Sequence, residues 1–259
     1  MEKPSRVAAI ARQAGVLAVV LVAFGPLLVQ LGLVSGFLGF RIFGVGLLAG
    51  LVALLLGALG VWLTRMRSES VEVAAASEHA VAAIGVSVTR ARPGRSHALT
   101  GLALGLVVVG GVAIAALPGM GVPAINDITT DPDDPPGFTS RPAYPPEFAA
   151  IQREAYPDLA PLRLAQPPAA AFAAAAATAG ALGWEIVRED AAAGVLEATD
   201  TTRVFRFVDD VVVRVQPDGD GARVDLRSKS RDGKGDMGAN AARIRAFRAK
   251  LAPGEEGAR

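Results

Sequence analysis

Three long apolar runs fill the first half of the chain and restrict what it can fold into. They cover Ala14–Val34, Ile42–Leu63 and Leu99–Leu117, and none contains Asp, Glu, Lys or Arg. Each approaches the roughly 20 apolar residues that an α-helix needs to cross a bilayer. Inside lipid the backbone of such a run satisfies its own hydrogen bonds only as a helix. Lys3, Arg6 and Arg12 precede the first run, and Arg41 alone separates the first from the second. Arg65, Arg67, Arg90, Arg92 and Arg95 lie between the second and third, and no basic residue follows the third until Arg141. The positive-inside rule then places the N-terminus and the 64–98 loop in the cytoplasm and everything after Leu117 outside it. The expected location is the plasma membrane, with the C-terminal domain extracytoplasmic.

The first run also invites comparison with a cleaved signal peptide. Its apolar stretch exceeds the roughly 7–15 residues of an ordinary signal core and lacks a clear small-x-small site in a polar setting, so retention as a helix is expected. The turn Ser35–Arg41 between the first two runs predicts a helical hairpin. Gly46 and Gly50, and likewise Gly101 and Gly105, are spaced for close helix approach. The simpler account is that glycine is common in membrane helices. Gln30 is the one strongly polar side chain in a span, and a transport pathway ordinarily needs more. The spans therefore read as an anchor or a packing surface.

Within the 64–98 loop, Val71–Val88 is rich in Ala and Val and reads as a short interfacial helix. Both histidines of the chain, His79 and His97, belong to this loop. With only Glu78 nearby they read as solvated and not as metal ligands. There is no cysteine and the net charge is +1, which removes thiol chemistry, disulfides and a lipoprotein anchor, and gives no global basic field for nucleic acid. No cofactor and no metal are expected.

After the third run comes a Pro- and Asp-rich stretch, expected as an extended linker over 121–155 because proline repeatedly denies the backbone a helix or central strand. The domain proper is expected over 156–252, with 253–259 as a tail. Pro167-Pro168 and Gly183 bracket an Ala-rich helix. Strands are expected at Trp184–Arg188, Val195–Thr199, Arg203–Val208, Val211–Val215 and Arg223–Lys229, and a last helix at Gly238–Leu251. Pro217-Asp218-Gly219-Asp220-Gly221 signals a hairpin. Pairing Val213 with Leu226 puts Val211, Val213, Val215, Val224 and Leu226 on one face, with Asp210, Arg214, Asp225, Arg227 and Lys229 on the other. The fold expected is therefore three N-terminal transmembrane helices followed by an α+β domain, an antiparallel sheet with two helices on one face.

The densest run of functional groups is 225–243, passing from a strand through a Gly-rich turn into the last helix. Free N–H groups at a helix start and nearby arginines suit an anion. The candidate ligand-binding residues are Arg214, Asp225, Arg227, Ser228, Ser230, Arg231, Asp236, Asn240 and Arg243, with Asp209 and Asp210 as a second cluster. A plainer account has Asp236 or Asn240 capping the helix and Asp225 pairing with Arg214 across the strands. Neither a Walker loop nor a dinucleotide fingerprint is present.

The same residues carry a resemblance. Tyr156-Pro157-Asp158, Gly183-Trp184, Glu197-Ala198-Thr199, Asp209-Asp210 with Arg214, and Asp225-Leu226-Arg227-Ser228 with Ser230-Arg231 resemble the domain-of-unknown-function 1499 family. The likeness continues through Gly233, Asp236, Gly238, Asn240 and Arg243-Ile244. The upstream Asn126-Asp127-Ile128-Thr129-Thr130-Asp131 and Pro135-Pro136 are similar too, some members having His where Asn126 stands. The resemblance implies a bacterial envelope protein with relatives in photosynthetic organelles, and no particular activity. The functional expectation is a non-catalytic module binding an anionic ligand, a lipid headgroup or an envelope protein partner. The alternatives are a carboxylate-based hydrolase or transferase at the outer membrane face, or an accessory subunit of a membrane complex. Without His or Cys after residue 97, triad and His-ligated metal chemistry cannot be built in the outer domain.

Overall fold

A computed structural model describes residues 5–65, 67–77, 80–90 and 93–253, and the chain divides into two units, 1–116 and 117–259. The first holds three helices long and apolar enough to cross a membrane: α1 (Arg6–Gln30), α2 (Gly36–Leu63) and α3 (Arg95–Ala116). They start earlier than the apolar runs because the helix continues past the part that lipid must cover. Ser35 caps α2, its Oγ accepting from Leu38 N–H at 3.3 Å.

Small residues let these helices touch. Gly46, Gly50, Gly57 and Gly60 are buried on α2, and Gly101 and Gly105 on α3. A Cβ on Gly57 would lie 2.5 Å from the Leu102 nitrogen, and one on Gly101 2.5 Å from the Ala11 carbonyl carbon. The four-residue glycine spacing thus marks helix contacts and is more than membrane composition.

Between α2 and α3 the expected interfacial helix is absent. Its place is taken by an antiparallel hairpin of β1 (Arg67–Ser77) and β2 (Ala80–Arg90), in register from Arg67↔Arg90 to Ser77↔Ala80. Val71, Val73, Ile84, Val86 and Val88 are β-branched, and their stiffness favours strand over helix. His79 and the segment 254–259 lie outside the described residues; His97 sits in the first turn of α3.

The second unit is a six-stranded antiparallel sheet, in the order β3 (Asp127–Thr129), β8 (Gly221–Ser230), β7 (Val208–Asp218), β6 (Val195–Thr201), β5 (Glu185–Asp190), with β4 (Leu162–Leu164) pairing β8 beside β3. Val213 pairs with Leu226, Arg214 with Asp225 and Val212 with Arg227, as the alternation predicts. Gly219, at φ +59, begins the two-residue turn that joins β7 to β8. A glycine at positive φ in the first central position suits the twist of a hairpin.

Helices α5 (Pro168–Ala181) and α6 (Ala239–Leu251) pack on one face of this sheet. The core between them includes Phe172, Leu196, Val211, Val213, Val224, Leu226, Ile244 and Phe247. Trp184 stacks on Phe247 with ring centroids 5.2 Å apart.

Two expectations change here. Residues 203–207 are not a strand, and only Val208 of the expected segment is, as the first residue of β7: Thr202 N–H donates to the Phe207 carbonyl at 2.8 Å, and Phe207 N–H returns to Thr202 Oγ1 at 2.9 Å, closing a loop. The segment expected as a linker also belongs to the domain. Asp127–Thr129 is β3, and α4 (Phe148–Ala155) follows. Gln152 of α4 pairs with both backbone polar groups of Thr129, accepting from its N–H at 2.9 Å and donating to its carbonyl at 2.6 Å. That side-chain amide protects the outer edge of β3 as a neighbouring strand would.

Candidate functional site

The candidate residues divide between the two faces of the sheet, because adjacent strand residues point to opposite sides. On the far face from α5 and α6, Arg227 is buried and donates to both Asp127 oxygens at 2.8 Å. Its remaining hydrogens reach the carbonyls of Pro136 and Pro142 at 3.3 and 2.9 Å. The rings of Phe138 and Tyr144 lie 5.0 and 5.7 Å from the guanidinium. The Pro-rich segment is therefore a strap over this charged face.

Beside this pair runs a second network. Arg214 donates to Asp225 at 3.1 Å and to the Asp134 carbonyl at 2.8 Å, and Arg223 bonds Asp225 at 3.0 Å and also Asp131. Burial works to raise the Asp131 pKa, yet the backbone N–H groups of Asp134 and Asp133 and the Arg223 guanidinium together hold it below its ordinary value. Asp210 receives Arg231 at 2.6 Å and pairs with Arg141 at 2.6 Å. Burial again pushes up, and the two arginines prevail and lower its pKa.

On the helix side, Arg243 is the hub. Its Nη2 donates to Asp209 at 2.6 Å, its Nε to Asp200 at 2.7 Å, and its Nη1 to Asn240 Oδ1 at 2.8 Å and Ser228 Oγ at 3.0 Å. Asn240 accepts from Ser228 Oγ at 2.7 Å and donates to Ser230 Oγ at 3.0 Å. Asp236 caps α6, its oxygens accepting from Gly238 N–H at 2.8 Å and Asn240 N–H at 2.9 Å. The helix start that suited an anion thus already holds a carboxylate of the same chain.

Ser228, Ser230, Asp209, Asn240 and Arg243 are therefore brought together, with Asp236 at the helix start. Arg214, Asp225 and Arg227 are on the opposite face, as are Arg231 and Asp210. Arg227, Arg231 and Arg243 do not converge. Each of the four candidate arginines bonds at least one carboxylate.

A cleft of about 370 Å³ opens beside Arg243. Leu182, Trp184, Ala242 and Ala246 give it an apolar wall, and Asp200 through Arg203 with Arg243 a polar one. The sequence offers little sign of it. Gly183-Trp184 is a point of resemblance, but Asp200 and the 202–207 loop carry no motif. Among the described residues, no group of three or more His, Cys, Asp or Glu is placed to hold a metal.

Comparison with curated proteins gives no match. Residues 127–251 match the family described as "Protein of unknown function (DUF1499)". The match begins at β3 and ends at the last residue of α6, so it includes the strap, the sheet and both packed helices. By this match, the C-terminal domain of the chain belongs to the DUF1499 family.

Proposed function

We propose that the chain is a non-catalytic envelope module, anchored by α1–α3 in the bacterial inner membrane, whose extracytoplasmic domain binds a small amphipathic ligand in the cleft beside Arg243. The observation carrying this reading is the cleft itself. Its volume falls in the lower part of the range of small-ligand pockets, and its lining exposes more polar than apolar surface. The ligand's apolar part rests on Trp184 and Leu182, and its anionic or hydrogen-bonding end meets Thr202 and Arg203. The arginine asymmetry supports the orientation. A phosphatase fused after Arg259 is expected to be active, and activity only in a cytoplasmic reporter at that position would reverse the topology.

The electrostatics argue against general acid catalysis by carboxyls outside the cleft. General acid catalysis needs a carboxyl held protonated near neutral pH. The shifts at Asp131, Asp158, Asp190 and Asp210 all run downward.

The chain has two tryptophans, Trp62 in α2 and Trp184 in the cleft, so Trp62→Phe leaves Trp184 as sole reporter. Titration of that full-length variant with lysophosphatidylglycerol or lysophosphatidylcholine below their micellar concentrations should shift Trp184 emission saturably. Ala242→Phe, at an exposed position of the cleft wall, should abolish the shift without lowering the melting temperature. No saturable change with either probe, or an unaltered response in Ala242→Phe, would refute the cleft as the binding site.

A further inference from the structure

The Gly-rich turn before α6 lies along the chain that leaves the third apolar helix. Asn126 Nδ2 donates to the Gly233 carbonyl at 2.8 Å. A Cβ on Gly235 would fall 3.2 Å from Ala124 Cα, and one on Gly119 would fall 2.8 Å from Met237 Cε and 2.9 Å from its Cβ. Met237 is thus seated on Gly119, where no larger residue would fit without displacement.

Met237 breaks two ordinary rules at once. It adopts φ +53, a left-handed conformation that a non-glycine side chain rarely takes. Its apolar side chain is 60% exposed. Leu117 and Met120, on the same stretch of chain, are 57% and 70% exposed. Lys234, also exposed, is three residues before Met237.

Covalent continuity says what lies nearby. Gly119 is three residues beyond Ala116, the end of α3, and three peptide units reach at most about 11 Å. The apolar membrane-spanning segment itself runs over Arg95–Gly119. Because that segment ends at Gly119 itself, groups seated on Gly119 meet the headgroup region, which adds roughly 5–8 Å to each side of the hydrocarbon core.

We propose that the 233–238 turn is a lipid-contact element, resting on the bilayer face where α3 ends. Met237, with Leu117 and Met120, enters the boundary between acyl chains and headgroups. Lys234 extends its ammonium toward the lipid phosphates, as long cationic side chains do at interfaces. The contact rests on the membrane anchoring of the proposed function, but requires neither a particular orientation of the protein nor a ligand in the cleft, so failure of the cleft and failure of the contact are distinguishable.

The absence of cysteine allows a direct test in the full-length protein. Met237→Cys, Lys234→Cys, and the remote surface positions Val187→Cys and Asp220→Cys are each labelled with an environment-sensitive nitrobenzoxadiazole dye. The proteins are reconstituted in phosphatidylcholine–phosphatidylglycerol vesicles with and without lipid spin-labelled near the headgroup. Dye at 237 should emit to the blue of dye at 187 and 220, and spin-labelled lipid should quench it at least twofold more strongly. Dye at 234 should be quenched as well, with a smaller blue shift. Water-like emission at both 237 and 234, with quenching no stronger than at 220, would overturn the proposal. Should Met237→Cys lower the melting temperature, Lys234→Cys decides the outcome, because it leaves the strained residue intact.

Discussion

Arg227 forms a two-pronged ion pair with Asp127, 100 positions earlier in the chain, both bonds measuring 2.8 Å. Both residues are buried, and Lys229 adds a third contact to Asp127 at 3.1 Å. The pair joins the chain leaving the membrane segment to the centre of the sheet. Removing one member of a buried pair leaves the other charge stranded, at a cost of about 3–5 kcal/mol. Asp127→Ala should therefore unfold the domain at markedly lower temperature. Near-ultraviolet circular dichroism of the solubilised full-length protein would register this, and an unchanged transition would mean the pair is dispensable.

The two faces predict opposite outcomes for two arginines of one sequence cluster. Arg231 is 39% exposed at its side chain and bonds Asp210, which keeps Arg141 as a second partner. Arg231→Ala should cost no more than about 1 kcal/mol, the scale of an exposed pair. Arg243 is 6% exposed at its side chain and joins Asp209, Asp200, Ser228 and Asn240. Arg243→Ala should cost about 3–5 kcal/mol, because Asp209 is left buried without its partner. Asp236→Ala falls between them, at roughly 0.5–2 kcal/mol for a lost helix cap. Thermal melting of the three variants side by side checks the order, and an equal loss for Arg231 and Arg243 would contradict the partition.

These contrasts show what the sequence could convey. Val211, Val213 and Val215, with Val224 and Leu226 on the return strand beyond Gly219, share one face in a single register, so the pairing was legible. The partners of the charges were not. Asp127, Asp131 and Asp200 come from segments far from 225–243, and proline content states only that a segment is not regular, not which surface it covers. Val204, Phe205 and Phe207 resemble strand residues, but hydrogen bonds between Thr202 and Phe207 hold them in a loop. Capping of α6 by Asp236 is local, and is legible in the sequence for that reason.

Tyrosine titration gives a pH signature of the strap. The chain has two tyrosines. Burial, with the nearby Asp127 charge, raises Tyr144 from 10.0 to about 12. Burial, with Asp236, also raises Tyr156 above 10.0. A phenol whose folded pKa is raised holds its proton while the unfolded chain releases it. Its stabilisation is thus complete below pH 10.0 and is lost as pH rises toward about 12. In Tyr156→Phe, tyrosinate absorbance at about 295 nm should stay low through the ordinary phenol range. Appearance near pH 10 in a still-folded protein would mean that the strap does not shield Tyr144. At the acidic end the sign reverses. The lowered carboxyls of Asp131, Asp158 and Asp210 contribute stability above their ordinary value of 3.8, and it is lost as pH falls through their depressed folded values.

Glycines in the membrane unit provide a paired test of helix contact. A Cβ on Gly57 would meet the Leu102 nitrogen at 2.5 Å and its Cα at 2.7 Å, both backbone atoms that cannot rotate away. Gly57→Ala therefore requires α2 and α3 to separate. Without a hydrophobic drive between helices in lipid, their association rests on close packing, and even a small separation weakens it. At Gly110 and Gly111 of α3, a Cβ would have no atom within 4 Å. Gly110→Ala should be neutral or slightly stabilising, since alanine favours a helix over glycine by roughly 1 kcal/mol. Thermal aggregation in mild detergent separates the two expectations: Gly57→Ala should lower the transition by several degrees and Gly110→Ala should not lower it. Equal behaviour of both variants would mean that glycines on α2 are tolerated by composition alone, and that the close approach of α2 to α3 does not hold the bundle together.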